Sequence, residues 1–318
     1  MIGKRKLVLI GTGFVGMSMA YAILCQGSSS GVNELVLIDI QKEKAIGEAM
    51  DLAHGLSFSS SHMQIRAGEY SECSDADIVV ITAGLNQKPG QTRLELSLEN
   101  AKIMKSITEE VVASGFKGIF LIASNPVDLM TKVVQEVSGF EPHRVIGSGT
   151  ALDTARLRYL VGEYINVSSK NIHAYIMGEH GDSSFVPWEH AYAGCKKVTD
   201  VVKDLGKDLS DLDKIYIDVR DAAYEIINRK KATYYGIGIA LAKIVRNILN
   251  NTNEIFTVSA YLNGEYGQKD IYIGVPVVLN NEGARELVEL DLAPENKEKL
   301  NISSNILREN MEKIREVL

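Results

Sequence analysis

Residues 6–16 read KLVLIGTGFVG, an unbroken apolar run that gives way to three glycines spaced G-x-G-x-x-G. KLVLI shows no polar alternation, which predicts a strand buried on both faces. GMSMAYAIL follows at once with a helical pattern. In a strand–loop–helix setting, Gly11 and Gly13 let the backbone turn tightly and approach a pyrophosphate, and Gly16 permits close helix–strand packing. The helix that opens there offers free N–H groups and a positive dipole end. The next apolar run, ELVLID, ends in Asp39, roughly 20 residues beyond the glycines, where a carboxylate accepts hydrogen bonds from an adenosine ribose. Its charge repels a 2′-phosphate. This favours NAD over NADP, with Lys42 as the one nearby feature that argues the other way.

Working outward, DIVVITAG, GIFLIASN and RVIGSG are further apolar runs, separated by helical patterns over 17–26, 42–56, 94–113 and 127–137. Strands alternating with helices and joined by short connections predict a parallel sheet covered on both sides. Beyond about residue 150 the texture changes. A helix over 151–163 leads into NIHAYIMGEHG, and long helical patterns cover 209–230 and 236–249. Two strand-like runs follow, FTVSAYLNGEYG and DIYIGVPVVLN, the first holding the turn pair Asn263-Gly264. An amphipathic helix begins near Pro294. The expected fold class is α/β: a Rossmann-type doubly wound parallel sheet in residues 1–147, then a mixed α+β substrate domain in residues 148–318. No Pro/Ser-rich linker divides them, which predicts a tight interface.

Composition narrows the class. The 318 residues are 45% hydrophobic and 24% charged, enough for one large or two medium cores. No apolar run approaches the roughly 18 residues of a membrane span. The short N-terminal apolar stretch runs straight into the glycine motif, unlike a signal sequence, so a cytoplasmic location is expected. Cys25, Cys73 and Cys195 are odd in number and lack metal-ligand spacing. They fit buried thiols in a reducing compartment, with no metal site. A net charge of −7, without aromatic residues interleaved in a basic stretch, argues against a nucleic-acid partner.

GEHGDS, residues 178–183, places His180 between glycines after an apolar run. Hydride chemistry at a hydroxyl carbon needs a proton acceptor that becomes the donor in reverse, and histidine suits that task near neutral pH. Asp153, in GSGTALDTARLRYL, is the candidate partner that orients the ring. Arg156, three residues on, lies on the same side of that helix and suits a two-pronged grip on a substrate carboxylate. The same spacing also fits a plain intrahelical ion pair. Asn125, before Pro126 at the end of GIFLIASN, fits a ribose or reacting-oxygen contact, or simply a strand-to-helix turn. Residues 85–93, LNQKPGQTR, combine a Pro-Gly turn with Lys88, Arg93, Gln87 and Gln91, fitting either a solvated connection or a lid.

Taken together, GTGFVG, DLAHG, NQKPGQTR, SNPVD, IGSGTALDTARLR, GEHGDS and ATYYGIG resemble the L-lactate dehydrogenases of the lactate/malate dehydrogenase family, of the bacterial allosteric type. The likeness runs from Lys6 to the C-terminal helix. It implies reversible hydride transfer between NADH and pyruvate, giving L-lactate. His180 would be the proton carrier, Asp153 its partner, Arg156 the carboxylate clamp and Arg93 the lid arginine that polarises the carbonyl. Asn125 would lie near the substrate oxygen, Thr233 beside the substrate side chain, and Gln87 where malate dehydrogenases carry arginine. Gly11, Gly13, Phe14, Val15, Gly16, Asp39, Thr82, Ala83, Gly84 and Asn125 would line the cofactor site. Gln91 departs from the acid common at its position in close relatives, which bears on lid closure. Arg158 and His173 match residues that bind fructose 1,6-bisphosphate across a subunit interface. A chain starting directly at its first strand lacks the arm that braces vertebrate tetramers, so an effector-assisted homotetramer is expected. The alternatives are a dehydrogenase for malate or a bulkier L-2-hydroxy acid, or a catalytically silent NAD-binding structural or regulatory protein.

Overall fold

The computed structural model describes residues 5–85 and 93–318. Its first half is a parallel sheet of β1 (Lys6–Ile10), β2 (Glu34–Ile38), β3 (Gln64–Ala67), β4 (Ile78–Ile81), β5 (Ile119–Ile122) and β6 (Val145–Gly147). The strands are linked by α1 (Phe14–Gln26), α2 (Lys42–Gly55), α3 (Arg93–Ala113) and α4 (Val127–Ser138). Spatial order is β3-β2-β1-β4-β5-β6, so strand order reverses between β1 and β4. That reversal opens a crevice at the carboxyl ends of the strands, the usual ligand site of such sheets. Every residue of β1, β2, β4 and β5 is buried, the reason these strands carry no polar alternation. β3 escapes that pattern. Its residues QIRA sit half-exposed at the sheet edge, so no apolar run marks them.

The second half contributes α5 (Ala151–Ile165), β7 (Ile172–His173), β8 (Tyr192–Ala193), β9 (Lys196–Lys197), α6 (Val198–Asp204), α7 (Ser210–Lys230) and α8 (Tyr235–Asn250). It then runs through β10 (Glu254–Asn263), β11 (Lys269–Asn280), β12 (Gly283–Leu287) and α9 (Pro294–Arg315). β10 and β11 pair antiparallel, as the hairpin pattern predicts, but the turn is longer than two residues and carries a bulge at Leu262/Asn263. The hairpin does not form a separate sheet. β10 joins β6 through Ser259 and Gly147, giving one nine-stranded sheet. A Cβ at residue 147 would lie 2.3 Å from Thr131 Oγ1 and 2.7 Å from the Ser259 Cβ, so glycine is required for this join.

Two apolar clusters result. The larger one wraps the sheet and includes α8 and α9 through Leu241, Val245, Leu300 and Leu307. The smaller lies among α5, α6 and α7, with Leu157, Val161 and Ile165 on one stripe of α5 facing Val198, Leu212 and Val219. Each such buried aliphatic side chain stabilises the fold by about 1.5–3 kcal/mol before entropy is counted. Of NIHAYIM only Ile172 and His173 form a strand. The rest is a loop bridged at Met177 to Phe185 and at Gly178 to Gly274 of β11. Among the described residues no helix is long and apolar enough to cross a membrane.

Candidate active site

The glycine turn closes on its neighbours. Gly11 has φ +102°, and a Cβ there would lie 2.6 Å from the Ala83 nitrogen. Its N–H donates to Ile38 O at 2.8 Å, while the Thr82 hydroxyl donates to its carbonyl at 2.8 Å. A Cβ on Gly16 would lie 2.2 Å from Gly11 O, whereas one on Gly13 would meet nothing within 4 Å. The second glycine therefore faces open space, where a pyrophosphate needs close backbone approach, and the third is packed. α1 starts at Phe14 without a side-chain cap, leaving its first N–H groups to a ligand.

Asp39 organises this turn. One carboxylate oxygen accepts from the Thr12 N–H (2.7 Å) and hydroxyl (2.9 Å), the other from the Gln41 N–H (2.9 Å). Burial alone would favour the neutral acid, but these donors outweigh it and hold the carboxyl below its ordinary value. Lys44 donates to Thr12 O at 2.5 Å. Lys42 is held by Glu69 at 2.6 Å. These residues fit a nicotinamide dinucleotide without a 2′-phosphate. Phe14 is exposed and stacks on Tyr234 at 5.1 Å, at the mouth of the turn, and Val15 packs against the larger core.

Across the crevice, α5 presents Asp153 in its first turn, where the helix dipole favours an anion. Asp153 Oδ2 lies 2.7 Å from His180 Nδ1, and its Oδ1 accepts from Arg156 Nη1 at 2.8 Å. One carboxylate thus grips both candidate groups and sets their separation. Burial pushes Asp153 up, yet His180 and Arg156 outweigh it and hold its pKa below normal. For His180, withdrawal from water opposes the imidazolium, but the Asp153 charge and hydrogen bond prevail and push the pKa up to about 9. The ring is therefore protonated at neutral pH. With Nδ1 committed to Asp153, Nε2 is the nitrogen left to deliver a proton.

Two contributors escape a reading of the sequence. Asp128, in the first turn of α4 and 2% exposed, accepts from the His180 N–H at 2.8 Å and the Ser259 hydroxyl at 2.5 Å. Burial pushes its pKa up to about 6 against the pull of those donors. A lone acid inside the apolar start of that helix, VDLM, is the signal that finds it. Asn100 of α3 is 2% exposed, accepts from Leu85 N–H at 2.8 Å and donates to Asn125 O at 2.9 Å. It ties the foot of the 85–93 segment to the loop after β5, and nothing in sequence flags it.

Asn125 is exposed at the carboxyl end of β5, beside Ala83 and Gly84 after β4, since the Ser124 hydroxyl donates to Ala83 O at 2.5 Å. Thr233, half-buried, immediately precedes Tyr234 and α8. Gln87, Lys88, Gln91 and the side chain of Arg93 lie outside the described residues. Arg158 and His173 sit elsewhere, around the smaller core. The Arg158 Nε donates to Ala174 O at 3.0 Å, its guanidinium lies 5.2 Å from the Tyr175 ring centre, and His173 is exposed.

Comparison with known proteins covers nearly the whole chain. Residues 5–147 match the lactate/malate dehydrogenase NAD binding domain, and residues 150–318 the lactate/malate dehydrogenase alpha/beta C-terminal domain. L-lactate dehydrogenase 2 of Bacillus anthracis is 53% identical over 310 residues, 97% of this chain and 98% of its own. The crystal structure of MGS-M5, a lactate dehydrogenase from a Medee basin deep-sea metagenome library, superposes with TM-score 0.95 at 53% identity, covering 98% of this chain and 99% of that one. The ligands-bound minor L-lactate dehydrogenase of Enterococcus mundtii gives 0.94 at 48% identity, covering 98% of each chain.

Proposed function

This chain belongs to the lactate/malate dehydrogenase family, and on that premise we propose how its residues divide the work of an NAD-dependent L-lactate dehydrogenase, which interconverts pyruvate and L-lactate. The observation that carries the reading is the single carboxylate of Asp153 shared by His180 and Arg156. It fixes a proton donor and a carboxylate receptor on one rigid support, as a 2-oxoacid requires. Gly11, Gly13, Phe14, Val15, Gly16, Asp39, Thr82, Ala83, Gly84 and Asn125 would hold the dinucleotide. Bound NADH supplies the hydride to the substrate carbonyl carbon.

Arg156 binds the pyruvate carboxylate through a paired set of N–H groups, a stronger and more directional grip than a lone ammonium gives. His180 donates the Nε2 proton to the carbonyl oxygen as the alkoxide forms, and becomes the neutral ring with its remaining proton on Nδ1, held by Asp153. In the reverse direction that neutral ring takes the hydroxyl proton. Arg93 closes with the 85–93 lid, polarises the carbonyl and helps expel water, which strengthens each charge interaction. Gln87 faces the C3 end of the substrate, and Thr233 flanks it.

We also place fructose 1,6-bisphosphate at Arg158 and His173, across a two-fold axis of a homotetramer in the cytoplasm, and divide the chain into domains at 147/148. Cations converging on such an axis repel until a bisphosphate neutralises them. The test follows NADH absorbance with pyruvate, oxaloacetate and 2-oxoisocaproate, with and without fructose 1,6-bisphosphate. Preference for pyruvate, with KM lowered by the effector in the parent and not in Arg158→Gln, fits the proposal. Preference for oxaloacetate or 2-oxoisocaproate shows a malate or bulkier-acid enzyme, and no turnover shows a silent NAD-binding protein. Full activation of Arg158→Gln removes the effector site.

A further inference from the structure

The backbone around His180 is held by α4 through Asp128, by β11 through the Gly178–Gly274 bridge, and also by α9. Ser303, on α9 and fully buried, lies 124 positions from Glu179 in the chain, yet its hydroxyl accepts from the Glu179 N–H at 2.6 Å. The same hydroxyl is 3.0 Å from Ser183 Oγ, and Ser183 Oγ in turn is 2.6 Å from Glu179 Oε2. Proton directions follow from chemistry. An amide N–H only donates and a carboxylate only accepts, so each hydroxyl between them accepts from one neighbour and donates to the next. The circuit therefore runs Glu179 N–H to Ser303, Ser303 O–H to Ser183, and Ser183 O–H to the Glu179 carboxylate. It closes over residues 179–183, the segment that carries His180.

We infer that Ser303 is a positioning residue for proton transfer, locking through this closed circuit the loop that aims His180 at the substrate. The inference rests on His180 being the proton carrier. Loss of the Ser303 hydroxyl leaves the Glu179 N–H without its acceptor and loosens residues 179–183 between the flanking Gly178–Gly274 and Met177–Phe185 bridges, where Asp128 still holds the His180 N–H and Tyr224 still reaches Asp182. Arg156 and the glycine turn lie on other elements and are untouched. The effect thus falls on turnover and on the His180–Asp153 hydrogen bond rather than on binding.

The experiment compares wild type, Ser303→Ala, Ser183→Ala, the double variant and His180→Asn in steady-state pyruvate reduction from pH 6 to 10, with NADH affinity read by fluorescence. Wild-type turnover abolished by His180→Asn secures the underlying reading, so its failure is separate from failure of the inference. Ser303→Ala is expected to lower kcat roughly tenfold, the scale of a sub-ångström misplacement, with KM for pyruvate and NADH affinity within about twofold. The alkaline pKa of its kcat/KM profile moves down, toward that of an ordinary histidine. Ser183→Ala moves both readouts the same way, and the double variant is no worse than the weaker single variant, because breaking one circuit twice adds nothing. Should Ser303→Ala not fold, the half-buried Ser183→Ala decides the matter alone. Wild-type kcat and pH profile in the folded single variants, or losses that multiply in the double variant, overturn the inference.

Discussion

Replacing Asp153 with asparagine separates the charge of the His180–Asp153 pair from its geometry. In the parent the pKa of His180 is raised from 6.5 to about 9, with Asp153 the largest favourable influence. At pH 7.5 a pKa of about 9 leaves roughly 97% of the ring as imidazolium, while 6.5 leaves about 9%. Asparagine keeps an oxygen beside Nδ1 but supplies no charge, and withdrawal from water then pulls the pKa down toward the ordinary 6.5 against the smaller influence of Asp128. Pyruvate reduction needs the charged ring, so kcat/KM at pH 7.5 should fall by up to about tenfold from protonation alone. Any loss beyond that measures orientation. The two parts come apart on acidification. At pH 5.5 a ring with pKa 6.5 is again about 90% charged, so the ratio of wild type to variant narrows to the orientation part. The assay is initial-rate NADH oxidation at saturating NADH and low pyruvate from pH 5.5 to 9.5, with circular dichroism checking the fold. A variant whose profile still breaks near 9 would show that Asp153 does not hold the His180 charge.

In the unmodified enzyme, kcat/KM for pyruvate should fall as pH rises through about 9, while lactate oxidation, which needs the neutral ring, rises over the same range; parallel profiles would exclude His180 as the shared proton carrier. Asp128→Asn bears on stability. The folded pKa of this buried acid is raised from 3.8 to about 6, so the native state binds the extra proton, and wild type loses stability as pH rises through that window. The advantage of the variant should therefore grow by on the order of 3 kcal/mol between pH 4 and 6 and stay level above; urea midpoints that show no such trend mean the carboxyl is not desolvated. Gln87→Arg should raise the oxaloacetate-to-pyruvate ratio of kcat/KM on the order of tenfold to a hundredfold, since a charge-assisted bond to the second carboxylate contributes roughly 1.5–3 kcal/mol. An unchanged ratio removes Gln87 from the substrate.

The parts of this molecule that can be read from its sequence are those whose physics is local. KLVLI, ELVLI, IVVI and IFLI announce themselves because both faces of each strand are buried, and the glycine turn because three positions meet backbone or open space at fixed spacing. QIRA hides because an edge strand needs no apolar run. Asp153 and Arg156 are three residues apart on one helix, so their pairing is visible, while no spacing encodes the reach of Asp153 to His180, 27 positions away. Asp128, Asn100 and Ser303 meet their partners 52, 25 and 124 positions away, and no local pattern encodes such meetings. The join of β10 to β6 is hidden for the same reason. It depends on a bare Cα at Gly147 opposite Ser259.

That join bears on how the chain can be cut and recombined. A gene fragment ending at residue 147 would encode all six parallel strands and the whole dinucleotide turn, yet leave the free edge of β6 with its amide and carbonyl groups unpaired. It would also strip α8 from α1, where a Cβ on Gly238 would sit 2.6 Å from the Ser18 Cβ, and so uncover the helix that begins the cofactor turn. Such an edge templates pairing between copies. Chimeras with other dehydrogenases should therefore carry β10, β11 and α8 along with the N-terminal half, swapping only the segment from α5 to α7 that has its own apolar cluster.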